Sequence, residues 1–110
     1  MNIDTINALM EFIDVVDFAN SAVKCATVHY ISNSSRKGEK TCNLKVGYTQ
    51  EEFEEFKSSL DFMYDSGFGG QEIFGTIWFE DGTWCTRGKY DGSEWWEHHC
   101  LPDIPDELKK

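Results

Sequence analysis

Residues 72–100 read EIFGTIWFEDGTWCTRGKYDGSEWWEHHC, and two Asp-Gly pairs, Asp81-Gly82 and Asp91-Gly92, cut the stretch into three β-forming segments. Asp-Gly between β-formers is the strongest short hairpin signal, because both central residues of a tight turn tolerate positive φ. The expected outcome is an antiparallel meander with strands at residues 72–79, 83–90 and 94–100. Successive side chains on a strand point to opposite faces, so Trp95 and Trp96 must face opposite ways and cannot both enter a one-sided core.

Upstream, Cys42, Leu44, Val46 and Tyr48 alternate with polar or small residues, and residues 23–32 are rich in β-branched and aromatic side chains. Both segments read as strands. The polar residues 33–40 between them fit a hairpin loop and hold the basic cluster Arg36, Lys37 and Lys40. Two helices complete the inventory. Ile3, Ile6, Leu9, Met10, Ile13 and Val16 recur at helical spacing from Asp4, the expected N-cap, to a stop at Asn20-Ser21. Thr49 and Glu52 form a capping box that opens a second helix. Its buried stripe would be Phe53, Phe56, Leu60 and Met63 or Tyr64, and residues 66–70 would end it. The fold expected is α+β: a single antiparallel sheet of about five strands with two helices, in the order α-β-β-α-β-β-β. One domain spans residues 1–110, with 101–110 an extended tail broken by Pro102 and Pro105 and pinned by Ile104 and Leu108.

Composition narrows the function classes. The chain has 110 residues, 40% of them hydrophobic, which supports one folded domain and argues against disorder. Twenty acidic against ten basic side chains give a formal charge of −10. Such a charge repels nucleic acid and anionic lipid and favours a basic protein partner. The start of the chain lacks a basic leader and no apolar run is bilayer length, so a cytoplasmic protein without membrane contact is expected. Cys25, Cys42, Cys85 and Cys100 then read as free thiols in a reducing compartment.

Four constellations are candidates for function. His98, His99, Cys100 and Cys85 are zinc-type ligands, but no C-x-x-C or H-x-x-x-H pair accompanies them, and no metal or other cofactor is expected. Glu94 and Glu97 beside the histidines have the composition of a hydrolase site, although no nucleophile elbow, P-loop or dinucleotide fingerprint occurs and catalysis is not expected. The aromatic meander Phe74, Trp78, Trp84, Tyr90, Trp95 and Trp96 supplies contact residues of the kind enriched at binding hot spots. Residues 50–81 carry nine acids against Lys57 alone, a field suited to steering encounter with a basic cleft. The partner-binding set expected is Glu51, Glu52, Glu54, Glu55, Asp81, Trp84, Glu94, Trp95 and Trp96, gathered into one acidic and aromatic patch on a monomer or homodimer.

The motifs Gly75-Thr76-Ile77-Trp78, Asp81-Gly82-Thr83-Trp84 and Tyr90-Asp91-Gly92-Ser93-Glu94-Trp95-Trp96-Glu97, followed by Pro102, Ile104-Pro105 and Leu108, resemble small uncharacterised acidic proteins of tailed bacteriophages and prophages. The resemblance covers residues 64–108. It implies a host-cell context and a non-enzymatic antagonist of host machinery, of the anti-CRISPR or anti-restriction type, some of which imitate nucleic acid. The competing expectations are a small metal protein or hydrolase using His98, His99, Cys100 and nearby carboxylates, and an assembly protein that oligomerises through the Trp-rich sheet.

Overall fold

The structure, a computed structural model, describes residues 5–31, 39–65, 71–90, 93–101 and 106–108. It is α+β with two helices and antiparallel strands. The elements are β1 (Thr5–Asn7), α1 (Ala8–Ala19), β2 (Val23–Ile31), β3 (Glu39–Leu44), α2 (Gln50–Ser59), β4 (Met63–Asp65), β5 (Ile73–Phe79), β6 (Trp84–Tyr90), β7 (Ser93–His99) and a 3-10 turn, Asp106–Leu108. Strands β2, β3, β5, β6 and β7 form a five-stranded sheet in the spatial order β3-β2-β5-β6-β7, and β1 pairs with β4 in a separate two-stranded sheet.

That second sheet corrects the expected single sheet, and it explains two shifted helix boundaries. Thr5, Ile6 and Asn7 pair with Asp65, Tyr64 and Met63, so the chain stays extended past Asp4 and the helix starts only at Ala8. Asn7 is the N-cap: its side chain accepts the Met10 amide, and its own amide group donates to Asp61 at 3.1 Å. α2 closes at Leu60 for the same reason, since Met63 and Tyr64, expected on the helix stripe, are needed as strand. The capping box of Thr49 and Glu52 is present, and Asn20 ends α1 in the left-handed conformation with φ 53°.

The meander forms as the alternation requires. The first turn has Gly82 at φ 89°, and the Asp81 carboxylate accepts both the amide and the hydroxyl of Thr83. Residues 91–92 of the second turn lie outside the described residues, as do 32–38 of the first hairpin loop, 66–70 and 102–105. Leu108 is exposed, so it does not pin the tail as expected, and Ile104 lies outside the described residues.

Both helices lie on one face of the large sheet. Val23, Ala26, Val28, Leu44, Ile73, Ile77, Phe79 and Cys85 point into that side and are buried with Phe12 of α1 and Phe56 of α2. The two phenyl rings meet edge to face at 5.4 Å, joining the helices above the sheet. α1 packs along β7 and α2 along β3, so the helices serve opposite ends of the sheet. The center depends on a close backbone approach. A Cβ on Gly75 would come within 2.3 Å of the Thr27 carbonyl oxygen of β2, which is backbone and cannot swing aside. Gly75→Ala should therefore cost about 2 kcal/mol or more in urea denaturation. A loss within error would show that β2 and β5 can separate freely.

Candidate functional site

The densest chemistry lies beneath β6 and β7. Arg87 occupies an inward position on β6, directly opposite Trp96 of β7, and its side chain is only 2% exposed. It donates at 2.8 Å to Glu94, whose side chain is fully buried. The Glu94 carboxylate also accepts the backbone amides of Glu72 and Ile73 at 2.8 and 2.9 Å, reaching under β6 from β7 to the start of β5. The guanidinium donates to the Tyr64 hydroxyl at 2.9 Å and approaches Glu11 at 3.5 Å, and the Tyr64 hydroxyl donates to Glu11. The Trp96 ring lies 5.0 Å from the guanidinium carbon.

Burial sets the proton affinities here. It raises the pKa of Glu11 above the usual 4.5, outweighing the opposing Tyr64 hydrogen bond and the Arg87 charge. It likewise pushes the Tyr64 phenol above its ordinary range. For Arg87, burial opposes the charge, but Tyr64, Glu11 and Glu94 around it prevail and raise its pKa. Glu94, expected as a partner contact, is thus an internal anchor. No sequence motif marks the Arg87–Glu94 pair, but strand alternation does: both residues share the inward parity of Cys85, where an apolar side chain is the norm.

β7 presents different chemistry on each side. Trp95 points to the face opposite the helices and Trp96 toward α1, as alternation demands. The open face carries Trp78 (42% exposed), Phe74 (39%) and Trp95 (37%), with Trp84 half-buried beside them. Trp78 is the cross-strand neighbour of Trp84, and Trp84 stacks on His99 at 5.8 Å. Trp95 lies over Gly88, where a Cβ would fall 2.6 Å from its indole nitrogen, and that nitrogen donates to Glu97 at 3.0 Å. The glycine forms a bed for the ring, and the carboxylate holds it there.

The expected single patch does not form. Glu51, Glu52, Glu54 and Glu55 are exposed on α2, beside β3 on the helix-covered side, while Trp84 and Trp95 occupy the opposite face toward β7. Glu52 serves the capping box, and Glu54 pairs with Lys57 at 3.0 Å. Asp81 sits exposed in the β5–β6 turn, where the Thr83 hydroxyl and amide hold its carboxyl below the ordinary range.

The metal and hydrolase candidates separate as well. His98 faces α1 and shares a hydrogen bond with Thr83 at 2.9 Å, whereas His99 faces outward and shares one with Thr86 at 2.8 Å. Cys85 is wholly buried, and burial pushes its thiol up to about 11, which disfavours the thiolate that metals bind. Among the described residues no three of His, Cys, Asp and Glu come together, and the four cysteines are free. Glu94 lies inside and Glu97 outside, so the two cannot flank a common substrate.

Between α1 and β7 runs a groove of about 390 Å³ lined by Glu11, Asp14, Val15, Phe18, Trp96 and His98. No helix among the described residues is long and apolar enough to cross a membrane. In comparisons with known proteins, the chain matches no family model, no curated protein and no solved structure.

The buried network gives two expectations. Arg87→Met strands the Glu94 carboxylate and should cost about 3–5 kcal/mol of unfolding free energy. Glu94→Gln, which keeps an acceptor for the amides of residues 72 and 73, should cost less than Glu94→Leu; equal losses would show that those amides do not depend on it. For Glu11, the folded protein holds the proton more tightly than the unfolded chain. Its contribution to stability is therefore greatest below the ordinary carboxylate pKa of 4.5 and declines as pH rises through the raised folded value. Glu11→Gln should flatten that part of a melting temperature against pH profile, and an unchanged slope would place the titration elsewhere.

Proposed function

We propose that this chain is a non-enzymatic binding protein that docks on a basic host protein, as a phage-type inhibitor would, using the open face of the five-stranded sheet. The observation that carries the reading is one-sided coverage. Two helices protect one face, while among the described residues no helix covers the other, which displays Trp78 and Trp84 as a cross-strand pair and, farther along the same face, Phe74 of β5 and Trp95 of β7. Several exposed aromatics on one face of a folded domain mark a contact surface, and tryptophan supplies large, rigid area at small entropic cost. The lining of this face supports contact rather than chemistry, because His99 and Glu97 are engaged by Trp84, Thr86 and Trp95.

The charge of −10 has a separate task. Lying apart from the aromatic face, the α2 carboxylates act through space, raising encounter rates with a basic partner and orienting approach. Aromatic burial then sets the lifetime of the complex. An anti-CRISPR or anti-restriction target, a nucleic-acid enzyme with a cationic surface, has the matching charge. The same open face also favours a second reading, self-association into an assembly component, with another copy of the chain as the occupant.

Capture from host lysate tests the reading when the protein is compared with Trp78→Ala and Trp95→Ala. A specific partner should be retained by the parent and weakened about tenfold or more by each variant, with circular dichroism unchanged. Partner retention by both variants would remove the open face from the reading, and a concentration-dependent dimer lost in them by light scattering would favour self-association. Reversing Glu51, Glu52, Glu54 and Glu55 to lysine should slow association and reduce its salt dependence with little effect on dissociation. An association rate indifferent to these reversals at low salt would sink the steering role.

A further inference from the structure

We infer that the groove between α1 and β7 receives a cationic side chain of the partner, arginine in preference to lysine. The inference deepens the reading of the chain as a binder of a basic protein, but it concerns a different surface from the open sheet face. The two adjoin along β7, which is the last strand of the sheet and carries Trp95 on one side and Trp96 on the other.

The groove joins three features that a guanidinium requires. Asp14 is exposed on the rim, and Glu11, one helical turn before it, lies deeper with 19% of its side chain accessible. Val15, Phe18 and Trp96 supply apolar wall for a methylene stem, which long basic side chains bury while keeping the charge at a polar end. The indole also offers a π face. Its neighbour on the core side is the buried Arg87, so the protein already stacks one guanidinium against Trp96. A second, entering from the groove, would meet the same ring and the two carboxylates together.

Glu11 gives an independent reason to expect a cation. Its carboxylate is largely removed from water, yet the nearest internal cation, Arg87 at 3.5 Å, is already committed at 2.8 Å to Glu94 and at 2.9 Å to Tyr64. The neutral Tyr64 hydroxyl also donates to Glu11, but burial outweighs these contacts and leaves its pKa raised. Helix α1 carries Glu11, Asp14 and Asp17 and no basic residue, so nothing on that helix neutralises the rim. A volume of about 390 Å³ lies at the small end of the roughly 300–1,000 Å³ typical of ligand clefts, suited to one long side chain and the backbone bearing it. Arginine is favoured over lysine because a planar guanidinium stacks on an indole and bridges carboxylates with several donors, whereas an ammonium is compact and strongly hydrated.

The test uses the whole chain and the blocked peptides acetyl-Gly-Arg-Gly-amide, acetyl-Gly-Lys-Gly-amide and acetyl-Gly-citrulline-Gly-amide, followed by NMR titration of the Trp96 indole and His98 signals. The arginine peptide should give saturable shifts centred on the groove, the lysine peptide weaker ones, and uncharged citrulline none at the same concentration. Asp14→Asn, a substitution on the exposed rim that leaves the core intact, should weaken arginine binding by about three- to tenfold. Trp95→Ala, on the other face, should leave it unchanged. Equal shifts from citrulline, an undiminished affinity in Asp14→Asn, or shifts centred away from Trp96 would overturn the assignment. Because the capture comparison depends on Trp78 and Trp95 and this titration on Asp14 and Trp96, failure of one is distinguishable from failure of the other.

Discussion

A guanidinium and a carboxylate enclosed together lose most of their hydration, and only close pairing with further hydrogen bonds makes such burial tolerable. Arg87 and Glu94 meet that condition by recruiting much of the fold. Glu94 takes the first amides of β5, Arg87 takes the Tyr64 hydroxyl from β4, and Tyr64 in turn holds Glu11 of α1. Five elements, α1, β4, β5, β6 and β7, are thereby joined around one ion pair. Removing either charge would leave its counterpart inside with only part of its compensation, and the contact of Arg87 and Tyr64 with Glu11 links the position of α1 along β7 to a polar contact as well as to the apolar packing of Phe12.

This network also shapes the surface. Arg87 lies against the Trp96 ring and holds it between the core and the α1 groove, while Gly88 and Glu97 support Trp95 on the reverse side. β7 is therefore a strand with two differently equipped faces at the end of a sheet: a solvent-facing indole among other aromatics on one, and an acidic, indole-walled groove on the other. Charge on α2 stands apart from both. Under the proposed function, steering and gripping would be divided between distant parts of the molecule, as Coulomb forces act over about 10 Å at moderate salt whereas apolar contact needs touching atoms.

Much of this was legible in residues 72–100. Asp81-Gly82 specified its turn, and alternation placed Trp95 and Trp96 on opposite faces before any contact was known. Thr49 and Glu52 announced the start of α2 through a purely local pair of hydrogen bonds. The start of α1 was misread because Ile3 and Ile6 fit the helical period, while the pairing of Thr5–Asn7 with Met63–Asp65, which keeps the chain extended there, links residues nearly sixty positions apart. Tyr64 likewise fits the helical stripe by spacing, and only its pairing with Ile6 makes it strand.

What the sequence determined by itself were properties that depend on neighbours in the chain: strand parity, tight turns, helix caps, net charge. Only the tertiary structure decided which side of the sheet the helices cover, that the α2 carboxylates stand away from the exposed indoles, and that Glu94 is an internal anchor for Arg87. The reason is that parity assigns residues to two sides without naming the covered one. That choice is made when α1 and α2 bury Phe12 and Phe56 against one face, and a charged residue on the covered side can remain only where distant segments bring it a partner.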